Sequence, residues 1–186
     1  MDDDRLLVDR ARRGEADAFG ELVGRYQHRI VSFVRALVSD AADAEDVAQE
    51  AFLRAYRAIR QFRGQSSFKT WLYQIATNVA RTHLDKRRTR REDQPDDSGE
   101  SGTAMGELPS GVDVEADAIR RDQIDRALAT LSAEQREIVV LRDVEGLEYR
   151  EIATALDIPI GTVESRLFRA RQRLRTRTQR PRPARG

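Results

Sequence analysis

Apolar residues recur every three or four positions over most of the N-terminal half of this chain, which is the spacing of helices with one buried face. The pattern predicts a short opening helix that ends near Gly14 and a longer helix that ends where Ser39 and Asp40 interrupt it. A third helix is predicted from about Asp43 to about Arg60. Its predicted buried side chains are Val47, Ala51, Tyr56 and Ile59, or close neighbours of these residues.

A fourth helix is predicted after a loop that runs from Phe62 to Ser67. The glycine in this loop permits a tight bend, and its serines can cap the helix that follows. The helix ends in the basic run Lys86–Arg91. Its apolar stripe consists of Trp71, Leu72, Ile75, Val79 and Leu84. Residues 1–91 are therefore predicted to form one compact all-α domain.

Helical spacing returns in the C-terminal third of the chain, at Ile119, Ile124, Leu128 and Leu131. Residues 132–135 match a capping box that starts another helix, and a glycine turns the chain after it. No stretch alternates apolar and polar residues as a strand would. The prediction is an all-α fold of two small helical domains, residues 1–91 and 118–178, in which the second domain contains a helix-turn-helix.

The helix-turn-helix is predicted within residues 149–175 as two short helices around a tight turn at Ile158 and Pro159. The buried stripe consists of Ile152, Ala153, Leu156, Val163, Leu167, Ala170 and Leu174. The opposite face of the second helix carries Thr162, Ser165, Arg166, Arg169 and Arg173. Short polar residues and arginines on one helix face are typical of a reader of the DNA major groove. The alternative is an ordinary helical hairpin with a solvated basic face.

Residues 92–117 separate the two predicted domains and show no helical or strand period. Prolines, glycines, serines and acidic residues dominate this stretch, which predicts a flexible acidic linker. Such a linker allows two modules to reach separate sites. Residues 179–186 are predicted to form a basic tail.

The near-balanced charge of the chain, 33 basic against 32 acidic residues, conceals strong segregation. Residues 60–91 carry nine basic residues and one acidic residue, and residues 166–186 carry nine arginines and no acidic residue. The predicted linker between them is acidic. Two basic surfaces separated in this way indicate that the protein binds a polyanion at two places.

Composition excludes several classes of site. The chain has no cysteine, so disulfides and thiolate metal sites are excluded, and His28 and His83 lie too far apart for a typical metal spacing. No apolar run approaches the roughly 20 residues of a membrane span, and the start of the chain lacks the pattern of a signal peptide. We therefore expect a cytoplasmic protein with no cofactor, no bound metal and no membrane insertion.

The third predicted helix carries an acidic face. Asp43, Asp46 and Glu50 lie along one side of it with Gln49 beside them. Paired carboxylates can serve acid–base chemistry, but the sequence offers no nucleophile, phosphate loop or histidine partner nearby. Acids in a first helical turn also favour the helix dipole. The alternatives are a solvated face and a docking surface for a basic partner.

The stretch from Phe62 to Arg91 interleaves aromatic and basic residues. Its aromatic residues are Phe62, Phe68, Trp71 and Tyr73. Rings that stack on bases and cations that contact the backbone are typical of proteins that bind single-stranded nucleic acid. The alternative is that Phe68 and Trp71 are core residues beside a solvated charge run. Asn78 and Arg81 are the better candidates for polar contacts to a base.

Taken together, these residues resemble the bacterial RNA polymerase sigma factors, specifically the small extracytoplasmic-function (ECF) group. The resemblance covers about residues 15–90 and 120–175. The first matching stretch is DAEDVAQEAFLRAYRAIRQFRGQSSFKTWLYQIATNVARTHLDKRRTR, in which Thr89 interrupts the final arginines. The second is LSAEQREIVVLRDVEGLEYREIATALDIPIGTVESRLFRARQRL. The two motifs in this order across a variable linker are highly specific.

The resemblance implies a subunit that directs promoter-specific transcription initiation, is not itself an enzyme and has an anti-sigma factor as a partner. The residues that the resemblance implies dock on core RNA polymerase are Asp43, Asp46, Gln49 and Glu50. Those implied to bind the single-stranded minus-10 element are Phe62, Arg63, Ser66, Ser67, Lys69, Asn78 and Arg81. Those implied to contact the duplex minus-35 element are Thr162, Glu164, Ser165, Arg166, Arg169 and Arg173. The linker is expected to pass through the polymerase cleft.

Two departures from the family pattern bear on promoter sequence. Glu164 occupies a position where many relatives have a basic or neutral residue. A carboxylate there could accept a hydrogen bond from the amino group of cytosine, or it could repel the DNA phosphates. Pro159 replaces a short polar cap. Two other functions compete with the sigma hypothesis: a conventional helix-turn-helix regulator whose first domain senses a ligand, and an all-α metal hydrolase that uses Asp43, Asp46 and Glu50.

Overall fold

A computed structural model of the protein describes residues 3–38, 40–93 and 123–178, except for the side chains of residues 91–93 and 177–178. The predicted linker lies outside the described residues apart from its first two positions, and the predicted basic tail lies outside them entirely. Every regular element within the described ranges is a helix. The predicted all-α fold is confirmed.

The first domain consists of four helices and one helical turn. Their bounds are α1 Asp3–Arg12, α2 Ala16–Leu37, α3 Ala41–Ala58, a 3₁₀ turn Ile59–Gln61 and α4 Phe68–Asp93. Asp40 caps α3, since its Oδ1 accepts hydrogen bonds from the backbone N–H groups of Ala42 and Asp43. The chain turns between α1 and α2 at Gly14, whose φ of 97° favours glycine.

The second domain begins with helical residues 123–128, here α5. It continues with α6 Ala133–Val139, a π-helical turn Val140–Val144, α7 Tyr149–Leu156 and α8 Ile160–Thr178. The predicted capping box is confirmed, because Ser132 and Gln135 exchange hydrogen bonds between side chain and backbone at the start of α6. Asp157 has a φ of 54° and reverses the chain between α7 and α8. The predicted helix-turn-helix is therefore present.

At one position of α3, a close neighbour of the named residue is the one that lies in the core. Tyr56 is 48% exposed, whereas Ala55 is fully buried. The buried face of α3 consists of Ala44, Val47, Ala48, Ala51 and Ala55. Tyr56 lies one residue beyond Ala55, about 100° around the helix. The aromatic ring therefore lies at the edge of the core, where it packs against Phe19 with ring centroids 5.1 Å apart.

The two domains pack against each other instead of standing apart. α4 contacts α7, and α2 contacts α6 and the π-helical turn. The buried apolar side chains of both domains form one continuous cluster. The sequence predicts modules that reach separate sites, and nothing in its periodicity indicates this contact. No described helix combines the length and the apolar character that crossing a bilayer requires.

Candidate nucleic-acid and protein interfaces

The predicted acidic docking face lies on α3, and its members differ in how available they are. Asp46 and Gln49 are exposed. Glu50 accepts a hydrogen bond of 2.7 Å from Arg54, which together with the charge of that guanidinium holds the pKa of Glu50 below its usual value. Asp43 lies 2.9 Å from Arg87 Nη1 on α4. Asp46 and Gln49 therefore form the open part of the face, while Asp43 ties α3 to α4.

The loop between α3 and α4 opens onto a cavity of about 460 Å³. Its loop walls include Arg63, Gly64, Ser66 and Ser67. α1 supplies the other wall with Asp4, Arg5, Val8, Asp9 and Arg12. Gly64 has a φ of 67°, which lets the backbone bend around the opening. The sequence predicts the loop, but the contribution of α1 depends on how the helices pack.

The aromatic residues near this loop belong mainly to the core. Phe62, Phe68 and Tyr73 are buried, and the ring centroids of Phe62 and Trp71 lie 4.8 Å apart. Trp71 is partly exposed. The structure therefore favours the alternative of a core residue for Phe68, and Tyr73 is a core residue as well, because both rings fill space between helices. Phe62, a predicted minus-10 contact, is only 8% exposed, so its ring belongs to the core beside the loop.

Three predicted minus-10 residues are held by the second domain. Arg81 donates two hydrogen bonds to the carboxylate of Glu137, at 3.0 and 2.7 Å. Lys69 Nζ donates to the backbone oxygen of Glu145 at 2.6 Å. Ser67 Oγ lies 3.5 Å from Glu151. Asn78, the other predicted residue on α4, is exposed.

Glu145 is the centre of the interdomain contact and was not predicted. It is 5% exposed, and its carboxylate accepts a 2.9 Å hydrogen bond from Arg29 Nε and a short one from the Tyr73 hydroxyl. Burial, followed by the hydrogen bond and the charge of Glu145, raises the pKa of Tyr73 above its usual value. The sequence gives no sign of this role, because a glutamate beside a glycine is ordinary in a loop. Only the contact between distant helices shows that Glu145 joins the two domains.

The face of α8 that is predicted to contact the minus-35 element, here called the reading face, is exposed to solvent over the central turns of the helix. Glu164, Arg169 and Arg173 are exposed. Thr162 and Ser165 are half-buried near the start of the helix, where Ser165 Oγ donates to the backbone oxygen of Thr162 at 3.1 Å. These five residues therefore lie on α8 as predicted, and the exposed three are accessible to a ligand.

Arg166, the sixth predicted minus-35 residue, is held within the second domain. It forms an ion pair of 3.1 Å with Glu134 at the start of α6, and its side chain is only 22% exposed. This pair anchors α8 to α6 on the side of the reading face.

Comparison with known proteins assigns both domains. Residues 22–90 match the family Sigma-70 region 2, and residues 121–174 match Sigma-70, region 4. The RNA polymerase sigma-H factor of Pseudomonas aeruginosa is 43% identical over 178 residues, which cover 92% of either chain. The ECF RNA polymerase sigma-E factor of Escherichia coli K12 is 40% identical over 182 residues, which cover 95% of this chain and 94% of that one.

The chain is an ECF sigma factor. It binds core RNA polymerase and directs promoter-specific transcription initiation. The sigma hypothesis is therefore confirmed over that of a conventional helix-turn-helix regulator. The region 2 match contains the acidic face of α3, the loop, and α4 as far as residue 90, and the region 4 match contains α7, and α8 as far as residue 174.

Two solved structures resemble the whole sigma factor. One is CnrH in complex with the cytosolic domain of CnrY, with a TM-score of 0.70, 26% identity, and coverage of 94% of this chain and 96% of that one. The other is RpoE in complex with the anti-sigma factor NepR from Bartonella quintana, with a TM-score of 0.72, 27% identity, and coverage of 88% and 98%. The likeness spans both domains in each case.

Proposed function

We propose that this sigma factor divides promoter reading between its two domains. In this proposal α8 enters the major groove of the duplex minus-35 element, and the loop with α4 captures the single-stranded minus-10 element. The observation that carries it is the exposed arginine face of α8, the second helix of the helix-turn-helix, since such a face supplies both phosphate and base contacts. The minus-35 residues proposed are Thr162, Glu164, Ser165, Arg166, Arg169 and Arg173.

The cavity at the loop supports the minus-10 assignment. Pockets of about 300–1,000 Å³ accommodate drug-sized ligands, so a cavity of about 460 Å³ has room for one unstacked base. Holding that base offsets the few kcal/mol that unstacking costs. Arg63, Ser66 and Ser67 line the cavity. Lys69, Asn78 and Arg81 follow on α4, and in this proposal they contact the DNA backbone next to the captured base. The ring of Phe62 packs against that of Trp71 and holds the start of the loop in place.

Polymerase docking falls to Asp43, Asp46, Gln49 and Glu50 in this proposal. Asp46 and Gln49 are exposed at the middle of α3, which leaves an acidic surface free for a basic partner. We also propose that an anti-sigma factor controls this protein, because one similar structure is that of the sigma factor RpoE in complex with the anti-sigma factor NepR. The protein would act in the cytoplasm and catalyse no reaction of its own.

Transcription with purified core RNA polymerase tests the proposal. A library of genomic promoter fragments is transcribed with and without the sigma factor, and the transcripts are sequenced. We expect new start sites that share two upstream elements. Transcripts that are unchanged by the sigma factor would overturn the proposal.

Replacing Arg169 with alanine is expected to weaken binding to promoter duplex carrying the minus-35 element, by about 1–3 kcal/mol if the guanidinium contacts a base. The side chain is exposed on α8, so the fold should be unaffected. Fluorescence anisotropy with a selected promoter duplex measures the change. Arg13→Ala, which removes an exposed arginine from the first domain, serves as the matched control. Equal affinities of R169A and the unaltered protein would remove Arg169 from the minus-35 face.

A further inference from the structure

The cavity beside the loop has a second wall, which the minus-10 assignment leaves without a role. That assignment uses the loop before α4, whereas the opposite wall belongs to α1. Val8, Phe62 and Phe68 are buried and supply the apolar part of the cavity lining. The cavity therefore combines apolar surface with charged groups, which is the usual composition of a site for a small planar ligand such as a base.

The serine hydroxyls of the loop wall hold the loop itself in shape. Ser66 Oγ donates a hydrogen bond to the backbone oxygen of Ser67 at 3.3 Å. Ser67 Oγ accepts a hydrogen bond from the backbone N–H of Thr70 at 3.1 Å and thereby caps the start of α4. Because both hydroxyls already have these structural roles, the charged groups around the cavity are better placed to distinguish one base from another.

Two carboxylates of α1 line the cavity, and they differ in how available they are. Asp4 Oδ1 accepts a hydrogen bond from Arg25 Nη1 at 3.0 Å, and its Oδ2 accepts one from the hydroxyl of Tyr26. The side chain of Asp9 is 48% exposed, and its Oδ1 lies 3.7 Å from Arg12 Nη1, which is longer than a hydrogen bond. Asp4 therefore joins α1 to α2, whereas Asp9 can accept a hydrogen bond from a ligand.

The arginines around Asp9 make its carboxylate compatible with DNA. Arg5 precedes Asp9 by four residues and Arg12 follows it by three, so the three side chains lie along one side of α1. Arg63 lines the cavity from the loop. Together these guanidinium groups offset the repulsion between one carboxylate and the phosphates of a DNA strand.

Asp9 and Arg12 present a hydrogen-bond acceptor beside a donor. Cytosine and adenine carry an amino group next to a ring nitrogen that accepts a hydrogen bond. Guanine has an N–H donor next to its amino group, and thymine has no amino group. Aspartate accepts from the amino group of cytosine in duplex DNA, and proteins that hold a flipped base read its Watson–Crick edge. An acceptor beside a donor therefore matches cytosine or adenine.

We propose that Asp9 selects the base that enters this cavity, by accepting a hydrogen bond from the amino group of cytosine or adenine while Arg12 donates to the neighbouring ring nitrogen. The inference rests on the proposed function, because it takes the cavity to hold one unstacked base of the minus-10 element. Thymine would place a carbonyl oxygen against the carboxylate, which is a repulsive contact. Helix α1 thus determines promoter sequence at one position of the element.

Selection from single-stranded DNA tests this role of Asp9. The full sigma factor is assembled with core RNA polymerase and mixed with a pool of short single strands of random sequence, and the bound strands are sequenced. Asp9→Ala removes the acceptor. Asp17→Ala is the matched control, because Asp17 is exposed on α2 outside the cavity wall. Thermal unfolding followed by circular dichroism verifies that both variants are folded.

The unaltered protein and D17A should enrich cytosine or adenine at one position of the bound strands. D9A should lose that preference, and its preferences at the other positions should stay the same. The same preference at every position in all three proteins would overturn the proposal. Enrichment of guanine or thymine at the position that D9A alters would also overturn it, because the carboxylate would then read a different base edge.

The affinity for defined strands separates base reading from a general effect of charge. One selected strand is compared with a copy in which 2-pyrimidinone replaces the cytosine, or purine replaces the adenine, since each analogue lacks only the amino group. By fluorescence anisotropy, we expect the unaltered protein and D17A to bind the copy about tenfold more weakly. D9A should bind both strands equally.

Two further results would contradict the proposal in different ways. If D9A changes the affinity for both strands by the same factor, and the analogue still weakens binding, Asp9 acts through its charge or the fold and does not read the base. If the unaltered protein enriches no sequence, the minus-10 assignment fails together with this inference. The other outcomes leave that assignment standing.

Discussion

Replacing Phe33 with alanine is expected to remove about 3–5 kcal/mol from the free energy of unfolding of the first domain. Phe33 is fully buried on α2, and its ring meets the edge of Tyr73 with centroids 5.2 Å apart. The truncation leaves a cavity between α2 and α4 and loosens Tyr73, which binds Glu145. Urea unfolding followed by the fluorescence of Trp71, the single tryptophan, measures the loss.

Tyr56→Ala is the matched control for this experiment. Tyr56 is also aromatic, but it is 48% exposed and its ring packs against Phe19 at the edge of the core. Its truncation should cost much less than that of Phe33, because little surface leaves the core and no enclosed cavity forms. Similar losses for the two variants would contradict the position of the α3 face described above.

Asp46→Arg is expected to weaken binding of the sigma factor to core RNA polymerase by about tenfold or more, which corresponds to at least 1.4 kcal/mol. The substitution puts a cation at the middle of the exposed acidic face, where we propose a basic partner docks. Titration of labelled sigma factor with core polymerase measures the affinity. Sigma-dependent transcription should fall with it at limiting sigma concentration.

The fold should tolerate this charge reversal, since Asp46 is exposed and surface substitutions usually change stability by no more than about 0.5 kcal/mol. Glu21→Arg provides the control: it makes the same change in net charge on an exposed position of α2, outside the docking face. If E21R and D46R lose polymerase affinity equally, the effect comes from overall charge, and the proposed docking face is wrong.

The interdomain contact changes how the minus-10 residues are understood. Arg81, Lys69 and Ser67 look from the sequence like free DNA contacts, yet each is held by a group of the second domain. The likeness to CnrH with CnrY and to RpoE with NepR spans both domains of this chain. In this structure, all three side chains lie at the contact between the two domains.

Local signals explain what could be predicted for single residues. The helix that starts at Ser132 was predicted because a capping box acts within four residues. The turn before α8 was predicted from a break in helical spacing at Ile158 and Pro159. Apolar spacing could not decide between Tyr56 and its neighbour Ala55, because it locates a helix face only to within one residue and a small alanine can fill the buried position.

The helices, the helix-turn-helix, the segregation of charge and the family all follow from the amino-acid sequence, because these depend on neighbouring residues and on long motifs. Which charged groups meet depends on the packing of the helices. Arg81 and Glu137 lie 56 residues apart in the chain, and Arg29 and Glu145 lie 116 apart. Such pairs depend on how whole helices pack, so each glutamate looks like an ordinary surface residue until the domains are brought together.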